Sequence, residues 1–341
     1  YISKEDFDKI NQRSEVHKND IIMPMIGTIG NPLLIINEPN FAIKNVALFK
    51  PKNENPKFLL HYLKSDFIKQ KFLFDSKGGT QKFVSLTYLR NLPIPIPPLP
   101  QQEKIVKVLD ISSALIEKQK ELLKKYDLFL KSKFIEMFGD PISNPMGWST
   151  LELSKLCKKI LGGGTPSKSN NSYFSGNIPW ITPKDMKKKY LNDSRDHITE
   201  EAISKSSVKL IPKNSLLMVI RSGILKKTLP VSINTVDTTI NQDMKAFIFD
   251  TAKTNNSYIL HFFEHYEVYL LNKVRSVTAD NLKFDDVKNI KVITPPIDLQ
   301  NKFAQIVEKI EQIKNKESQK LEHLQTLHNS LMDKAFKGEI G

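Results

Sequence analysis

Two long stretches of this sequence repeat their apolar residues at alternating steps of three and four. The first runs through Ile105, Val108, Ser112, Leu115, Gln119, Leu122, Tyr126 and Phe129. The second runs through Phe303, Ile306, Ile310, Ile313, Glu317, Lys320, Leu324, Leu327 and Leu331. A mean step near 3.5 held for so long predicts a coiled-coil seam rather than an ordinary surface helix. Helices are expected over about 99–138 and 297–336, each a rod of roughly 57 Å at 1.5 Å per residue. Neither offers a full core alone, so the two are expected to pack on each other. Gln119 and Glu317 interrupt the stripes at equivalent places, and a polar residue in such a seam fixes register at some cost in stability.

Between the helices the pattern changes. Gly139-Asp140-Pro141 is a helix stop, and Asn144-Pro145-Met146-Gly147 is a turn-rich linker. From Trp148 to about Pro295 short apolar runs (Ser215–Ile220, Pro230–Ile233, Met244–Phe249) read as strands, and Ser257–Asn272 reads as a helix. This predicts a mixed α/β domain.

The chain also repeats itself. Leu92-Pro93-Ile94-Pro95-Ile96-Pro97-Pro98-Leu99-Pro100-Gln101-Gln102 returns 198 residues later as Ile290-Lys291-Val292-Ile293-Thr294-Pro295-Pro296-Ile297-Asp298-Leu299-Gln300. Upstream, Phe58-Leu59-Leu60-His61 resembles Tyr258-Ile259-Leu260-His261, and Asn19-Asp20-Ile21-Ile22 resembles Asn214-Ser215-Leu216-Leu217. Tyr1-Ile2-Ser3-Lys4-Glu5 resembles His197-Ile198-Thr199-Glu200-Glu201. These matches keep their order, with small shifts of offset of the kind loop insertions produce. Nothing in residues 1–98 corresponds to Trp148–Asp196, so the first copy reads as an incomplete one.

Composition narrows the function. The 341 residues are 40% hydrophobic and 26% charged, a soluble globular balance. The formal net charge of +14 favours a polyanionic partner, because Lys and Arg release counterions from a phosphate backbone. Residues 148–295 hold 22 Lys+Arg against 14 Asp+Glu, which makes that domain the better nucleic-acid binder. Cys157 is the single cysteine, which excludes a disulfide framework and a cysteine-rich zinc site and fits a reducing cytoplasm. No apolar run reaches the length of a membrane span, and no secretion signal is visible.

Several motifs together carry a family likeness. They are Met137-Phe138-Gly139-Asp140-Pro141 followed by Gly147-Trp148, then Gly163-Gly164-Thr165-Pro166-Ser167, then Ile178-Pro179-Trp180-Ile181-Thr182-Pro183-Lys184-Asp185-Met186, and the Pro-Pro-x-x-x-Gln opening of both helices. In order and spacing the chain resembles type I restriction–modification specificity (S) subunits. The resemblance implies an α+β fold: two α/β target-recognition domains, the first incomplete, separated by two long antiparallel coiled-coil helices in a pseudo-two-fold repeat. The expected organisation is the later part of a first target-recognition domain over 1–98, a central helix over 99–138 and a linker over 139–147. A second target-recognition domain over 148–295 and a C-terminal helix over 296–341 complete it. Double-stranded DNA is the implied ligand, each domain reading half of a split site about a helical turn apart. Two methyltransferase (modification) subunits and restriction/translocase subunits are the implied partners. S-adenosylmethionine, ATP and magnesium are expected on those partners, and no cofactor is expected on this chain.

Gly162-Gly163-Gly164-Thr165-Pro166-Ser167-Lys168 lacks the Gly-Lys-Ser/Thr ending of a nucleotide loop. It reads as a flexible loop near a DNA phosphate with Lys168 as its point charge, or as a turn. Lys184, Lys187, Lys188 and Lys189 form a basic run suited to backbone contacts. Arg221 follows a strand and precedes Ser222-Gly223, with Lys226 and Lys227 close behind; it can reach guanine O6 and N7, or belong to a solvated basic turn. Asn241 and Gln242 can read adenine or pair with backbone. Trp180 suits core packing better than base stacking. His261-Phe262-Phe263-Glu264-His265 spells a zincin-like pattern, but its repeat counterpart His61-Tyr62-Leu63-Lys64-Ser65 keeps one histidine only.

No methyltransferase quartet, glycine-rich cofactor loop or Ser/His/Asp arrangement is evident. The expected function is therefore a sequence-specific DNA-binding subunit, not itself a catalyst, that directs modification and restriction subunits to a bipartite site. A basic coiled-coil interaction scaffold and a nuclease or fused restriction–modification polypeptide are the alternatives.

Overall fold

The computed structural model describes residues 1–27, 29–76, 83–275 and 281–340. The chain divides into two compact units, Tyr1–Lys124 with Asn315–Gly341, and Lys125–Lys314. The division falls inside both long helices, so each unit holds one part of each.

The first unit opens with α1 (Lys4–Ser14), whose N-cap Ser3 accepts a hydrogen bond from the Asp6 backbone N–H. Asn19 then takes a left-handed conformation (φ 72°), which asparagine tolerates better than most residues, and turns the chain into β1 (Ile21–Pro24). β2 (Leu33–Leu34) and β3 (Val46–Phe49) flank β1, both antiparallel. α2 (Pro56–Lys64) starts on an Asn55 cap with proline in its first turn, where a missing N–H costs nothing. α3 (Asp66–Asp75) and α4 (Leu86–Arg90) start on Ser65 and Ser85 caps. Ile21, Met23, Leu63, Ile68 and Phe72 make the core, and α5 (Leu99–Phe138) leaves this unit after Lys124.

The second unit begins within α5, which Gly139 ends in a left-handed conformation (φ +75°). A Cβ there would also meet the Pro145 ring at 2.8 Å, so both backbone and space call for glycine. The chain continues through β4 (Thr150–Glu152), β5 (Cys157–Gly162), β6 (Ile178–Ile181), β7 (Tyr190–Leu191), β8 (His197–Ile198) and α6 (Glu200–Ser204). There follow β9 (Leu216–Val219), β10 (Val231–Asn234), β11 (Thr239–Ile240), β12 (Met244–Phe249) and α7 (Asn256–Arg275). α8 (Phe284–Lys288), β13 (Lys291–Ile293) and α9 (Ile297–Phe336) complete the order. The main sheet has the order β5-β12-β9-β10-β7, antiparallel except for β10 with β7. A smaller sheet β11-β6-β8 and the pair β13-β4 stand beside it. All four residues of β9 are buried, as a central strand requires, and Tyr258, Phe262 and Phe263 of α7 join the same core.

The strands and helices fall close to where the apolar pattern places them, and α7 runs slightly longer than expected at each end. The helix pairing also holds within each unit. In the first, Ser112 meets His328 (2.8 Å) and Gln119 meets Glu317 (3.0 Å to its carbonyl). In the second, Asp127 meets Lys314 (2.8 Å) and Phe134 meets Phe303 (5.6 Å between rings). Partners ascend on α5 as they descend on α9, so the segments run antiparallel. The seam itself differs from the expected 3.5-residue stripe. Leu115 (47% exposed) and Phe129 (46%) face outward, while Ile116, Leu130, Phe134 and Phe138 are buried. On α9, Ile313, Lys320 and Leu327 are likewise exposed, and Met332 and Ala335 are buried. A straight helix has 3.6 residues per turn and drifts about 20° per heptad from a 3.5 repeat. Its contact stripe therefore slides by one position, ending in steps of four through Leu130, Phe134 and Phe138.

The duplication is visible bond by bond. Gln102 donates to the Pro97 carbonyl (2.8 Å) and accepts from the Asn55 N–H (2.8 Å). Gln300 donates to the Pro295 carbonyl (2.8 Å) and accepts from the Asn255 N–H (3.0 Å). Both glutamines are buried, so each fastens the Pro-Pro opening of a long helix to the start of the helix beside it. Ser3 and Thr199 are equivalent N-caps, and Asn19 and Asn214 are equivalent left-handed residues before β1 and β9. Strand β13 pairs with β4 in the second unit, whereas the corresponding Pro93–Pro95 carries no strand.

Candidate nucleic-acid interface

Three loops of the second unit meet at one end of its sheets. The first leaves β5 at Gly162. A Cβ on Gly163 would lie 1.9 Å from the Asn241 carbonyl oxygen, and Gly164 donates its N–H to the Ile240 carbonyl (3.0 Å). The glycines thus allow two backbones to touch, and the stretch is a packed wedge rather than the flexible loop its composition suggests. Trp180 pins the same wedge: its indole N–H donates to the Gly164 carbonyl (3.0 Å) and its ring meets Phe174 edge-on. At 7% exposure Trp180 is a core residue.

The second loop follows β6. Asp185 accepts from both the backbone N–H (2.9 Å) and the hydroxyl (2.7 Å) of Thr182, closing a turn that leaves Lys184 exposed. The third is the turn between β11 and β12. Asn241 is buried, with its amide nitrogen on Asp243 Oδ2 (3.1 Å) and its amide oxygen taking the Asp243 N–H (3.2 Å). Gln242 donates to Asp243 Oδ2 (3.4 Å) and accepts from the Thr165 hydroxyl, which ties the third loop to the first.

Arg221 stands where β9 ends. The Ile220 and Arg221 N–H groups both donate to the Asp243 carbonyl (2.9 and 3.2 Å), and Arg221 Nε donates to Asp243 Oδ1 (2.7 Å). Its side chain remains 56% exposed. The loops enclose an open cleft of about 790 Å3 whose lining includes Lys168, Lys184, Asn241, Gln242, Asp243 and Ser222.

The structure therefore gathers Lys168, Lys184 and Asn241 into one cleft, with Arg221 held beside it through Asp243. Lys187 and Lys188 line a separate, smaller recess with Thr228 and Glu267. Lys226 ends the short 3-10 helix Gly223–Lys226 and Lys227 follows it, both exposed. Lys189, the last of the basic run, is turned inward onto Glu264 (2.7 Å) and toward Asp127 (3.7 Å) of α5. Asp243 was not singled out by sequence. Its only signal was an Asn-Gln-Asp turn between two apolar runs, which marks a turn but not what its carboxylate holds.

The zincin-like pair is packed into the core. His261 bonds the Ser257 carbonyl through Nδ1 (2.8 Å) and lies edge-on to Phe303, while His265 stacks on Phe134. Burial pushes both rings below the ordinary histidine range, against the opposing pull of Glu264. Among the described residues no helix is long and apolar enough to cross a membrane.

Fold and cleft together define an α+β protein with a duplicated architecture and a lysine-bearing cleft. The family model for the type I restriction modification DNA specificity domain matches residues 2–125 and 145–323, and the chain belongs to that family. It is 34% identical over 248 residues to the EcoR124I/EcoR124II specificity subunit of Escherichia coli, covering 69% of this chain and 59% of that protein. It is 28% identical over 329 residues to the MjaIX specificity subunit of Methanocaldococcus jannaschii, covering 88% and 72%. The chain thus spans between about three-fifths and three-quarters of the length of these two relatives. Among solved structures, a chain from work on complex assembly and conformational transition of the type I R-M system matches with TM-score 0.59 at 20% identity, covering 95% of this chain and 83% of that one. The type I S subunit from M. genitalium matches with TM-score 0.56 at 15% identity, covering 95% and 84%. These two likenesses establish the fold.

Proposed function

We propose that this chain is a non-catalytic DNA-recognition subunit that directs methyltransferase and restriction subunits to a specific duplex sequence. The observation that carries the reading is the cleft. Lys168 and Lys184 reach it from loops braced by backbone contacts, and Arg221 projects beside it from the end of β9. Exposed lysines on fixed loops suit phosphate contacts, which set register on the duplex, while an exposed guanidinium suits the edge of a guanine. Lys187, Lys188, Lys226 and Lys227 extend the basic surface and add salt-dependent affinity. Asn241 serves this site as a brace of the turn, since both ends of its amide are occupied.

Partner subunits supply the chemistry in this reading: S-adenosylmethionine on two methyltransferase subunits, ATP and magnesium on restriction subunits. The helices carry apolar residues that the chain itself does not cover, including Ile111 (54% exposed) and Leu115 (47%), one turn apart on α5. Such a stripe suits an accompanying helix of a methyltransferase subunit.

The test is methylation of random-sequence DNA by the purified chain mixed with its neighbouring methyltransferase subunit. Methylated sites that share a split consensus are expected. A methyltransferase that neither binds the chain nor gains sequence preference from it overturns the reading. Metal-dependent cleavage by the chain alone would put a nuclease in its place.

A further inference from the structure

We infer that Asp243 is a specificity-determining residue: it presets the Arg221 guanidinium so that its two terminal nitrogens face a guanine of the target half-site. The inference rests on the DNA-recognition reading above and names the base that one point of the cleft reads.

Asp243 is the hub of the cleft's turn. Its Oδ1 takes Arg221 Nε at 2.7 Å, and its Oδ2 takes the amide nitrogens of Asn241 (3.1 Å) and Gln242 (3.4 Å). Its backbone is fixed as well, because its N–H donates to Asn241 Oδ1 and its carbonyl accepts from Ile220 and Arg221. The side chain is only 24% exposed, and three hydrogen bonds to the carboxylate with three to the backbone hold the residue from several directions.

Arg221 is held at one point. Nε is engaged, and Nη1 and Nη2 make no hydrogen bond among the described residues, on a side chain that is 56% exposed. A guanidinium is a rigid planar fork, so anchoring Nε fixes the direction of the Nη edge. Two parallel N–H groups on that edge match O6 and N7 of guanine, the pairing that distinguishes G·C from the other base pairs in the major groove. A lysine cannot present that fork. Presetting also lowers the rotamer entropy that binding must otherwise remove. The neighbouring charges divide the work: Lys168 and Lys184 are exposed, have no such anchor among the described residues, and remain suited to phosphate, which is sequence-blind.

A positioning role separates from a merely structural one by which base pairs respond. The experiment compares the consensus methylated in random-sequence DNA by the full chain with its methyltransferase partner, for the wild type and for Arg221→Ala, Arg221→Lys, Asp243→Ala and Asp243→Asn. Asp243→Asn keeps the size and one acceptor oxygen of the side chain, so it preserves the turn if the alanine variant does not fold. The wild-type consensus should contain one G·C pair whose preference falls roughly tenfold to a hundredfold in Arg221→Ala. The Asp243 variants should relax that same pair, the alanine variant more than the asparagine one, and keep the preference at the other positions of the consensus. A consensus lost at every position, or one untouched by either Asp243 variant, overturns the role of Asp243 while leaving the chain a DNA reader. A wild-type chain that confers no consensus overturns the underlying reading instead.

Discussion

Gln119 donates its amide to the backbone carbonyl (3.0 Å) and the carboxylate of Glu317, the residue that holds its own place in the second repeat 198 positions later. Two equivalent polar residues thus face one another along the helix pair, between the Ser112–His328 and Asp127–Lys314 contacts. A polar pair of this kind is satisfied in one register only, because a shift of either helix leaves a buried amide without an acceptor.

Replacing Gln119 with Ala is therefore expected to destabilise the first unit by about 1–2 kcal/mol, the cost of a lost hydrogen bond with its acceptor left partly buried. The paired change Gln119→Leu with Glu317→Leu should restore or raise the melting temperature, since packed apolar residues replace a satisfied polar pair at little cost. Thermal unfolding of the two variants beside the wild type decides it. A single variant as stable as the wild type would remove the pair's structural role.

Gln102 and Gln300 should behave similarly, because they fasten the two helix openings to the same kind of backbone partners, while Gln300 also accepts from the buried Thr254 hydroxyl (3.0 Å). Changing either to Leu strands a backbone N–H, of Asn55 or of Asn255, together with a proline carbonyl. Each variant should lose about 2–3 kcal/mol in denaturant unfolding. A marked difference between them would mean that the two helix openings are not energetically equivalent.

Stability should also fall as the solution is acidified. His261 is fully buried and His61 nearly so, and burial holds both rings below the ordinary histidine value despite Glu264 near one and Asp110 bonded to the other. The folded state therefore takes up protons later than the unfolded chain as pH decreases. The neutral rings contribute fully above about pH 6.5, and that contribution drains away below it, by up to about 1.4 kcal/mol per pH unit per histidine. Unfolding followed from pH 7.5 to pH 5 should show this slope, and His261→Phe should flatten it. Parallel slopes in the two proteins would exclude His261 as a source.

Phosphate contacts predict a different signature from base contacts. Lys168→Ala and Lys184→Ala should each weaken duplex binding for specific and unrelated sequences alike. Each should reduce the slope of log K against log salt by about 0.9. Fluorescence anisotropy across a salt series measures both quantities. A variant that alters sequence preference while keeping the salt slope would reassign that lysine to a base.

The sequence by itself determined the elements and the duplication. Helix extent followed from apolar period, the end of α5 from Gly139, and the strands from short apolar runs. The Pro-Pro-x-x-x-Gln opening recurs in the sequence, but that each buried glutamine bonds a proline carbonyl and an asparagine N–H emerged only in the folded chain. Charge and motif order pointed to nucleic acid and to the family. Tertiary structure decided which of these residues meet. Period alone placed Leu115 and Phe129 in the seam, where the true helical pitch turns Ile116 and Leu130 inward instead. Composition made the glycine stretch a loose loop, yet its role is close backbone contact with Ile240 and Asn241, more than seventy residues away in the chain. Arg221 and Asp243 lie 22 residues apart and carry no shared pattern. Their pairing exists because β9 and β12 are neighbours in one sheet, and adjacency of strands is a property of the folded chain, not of local spacing.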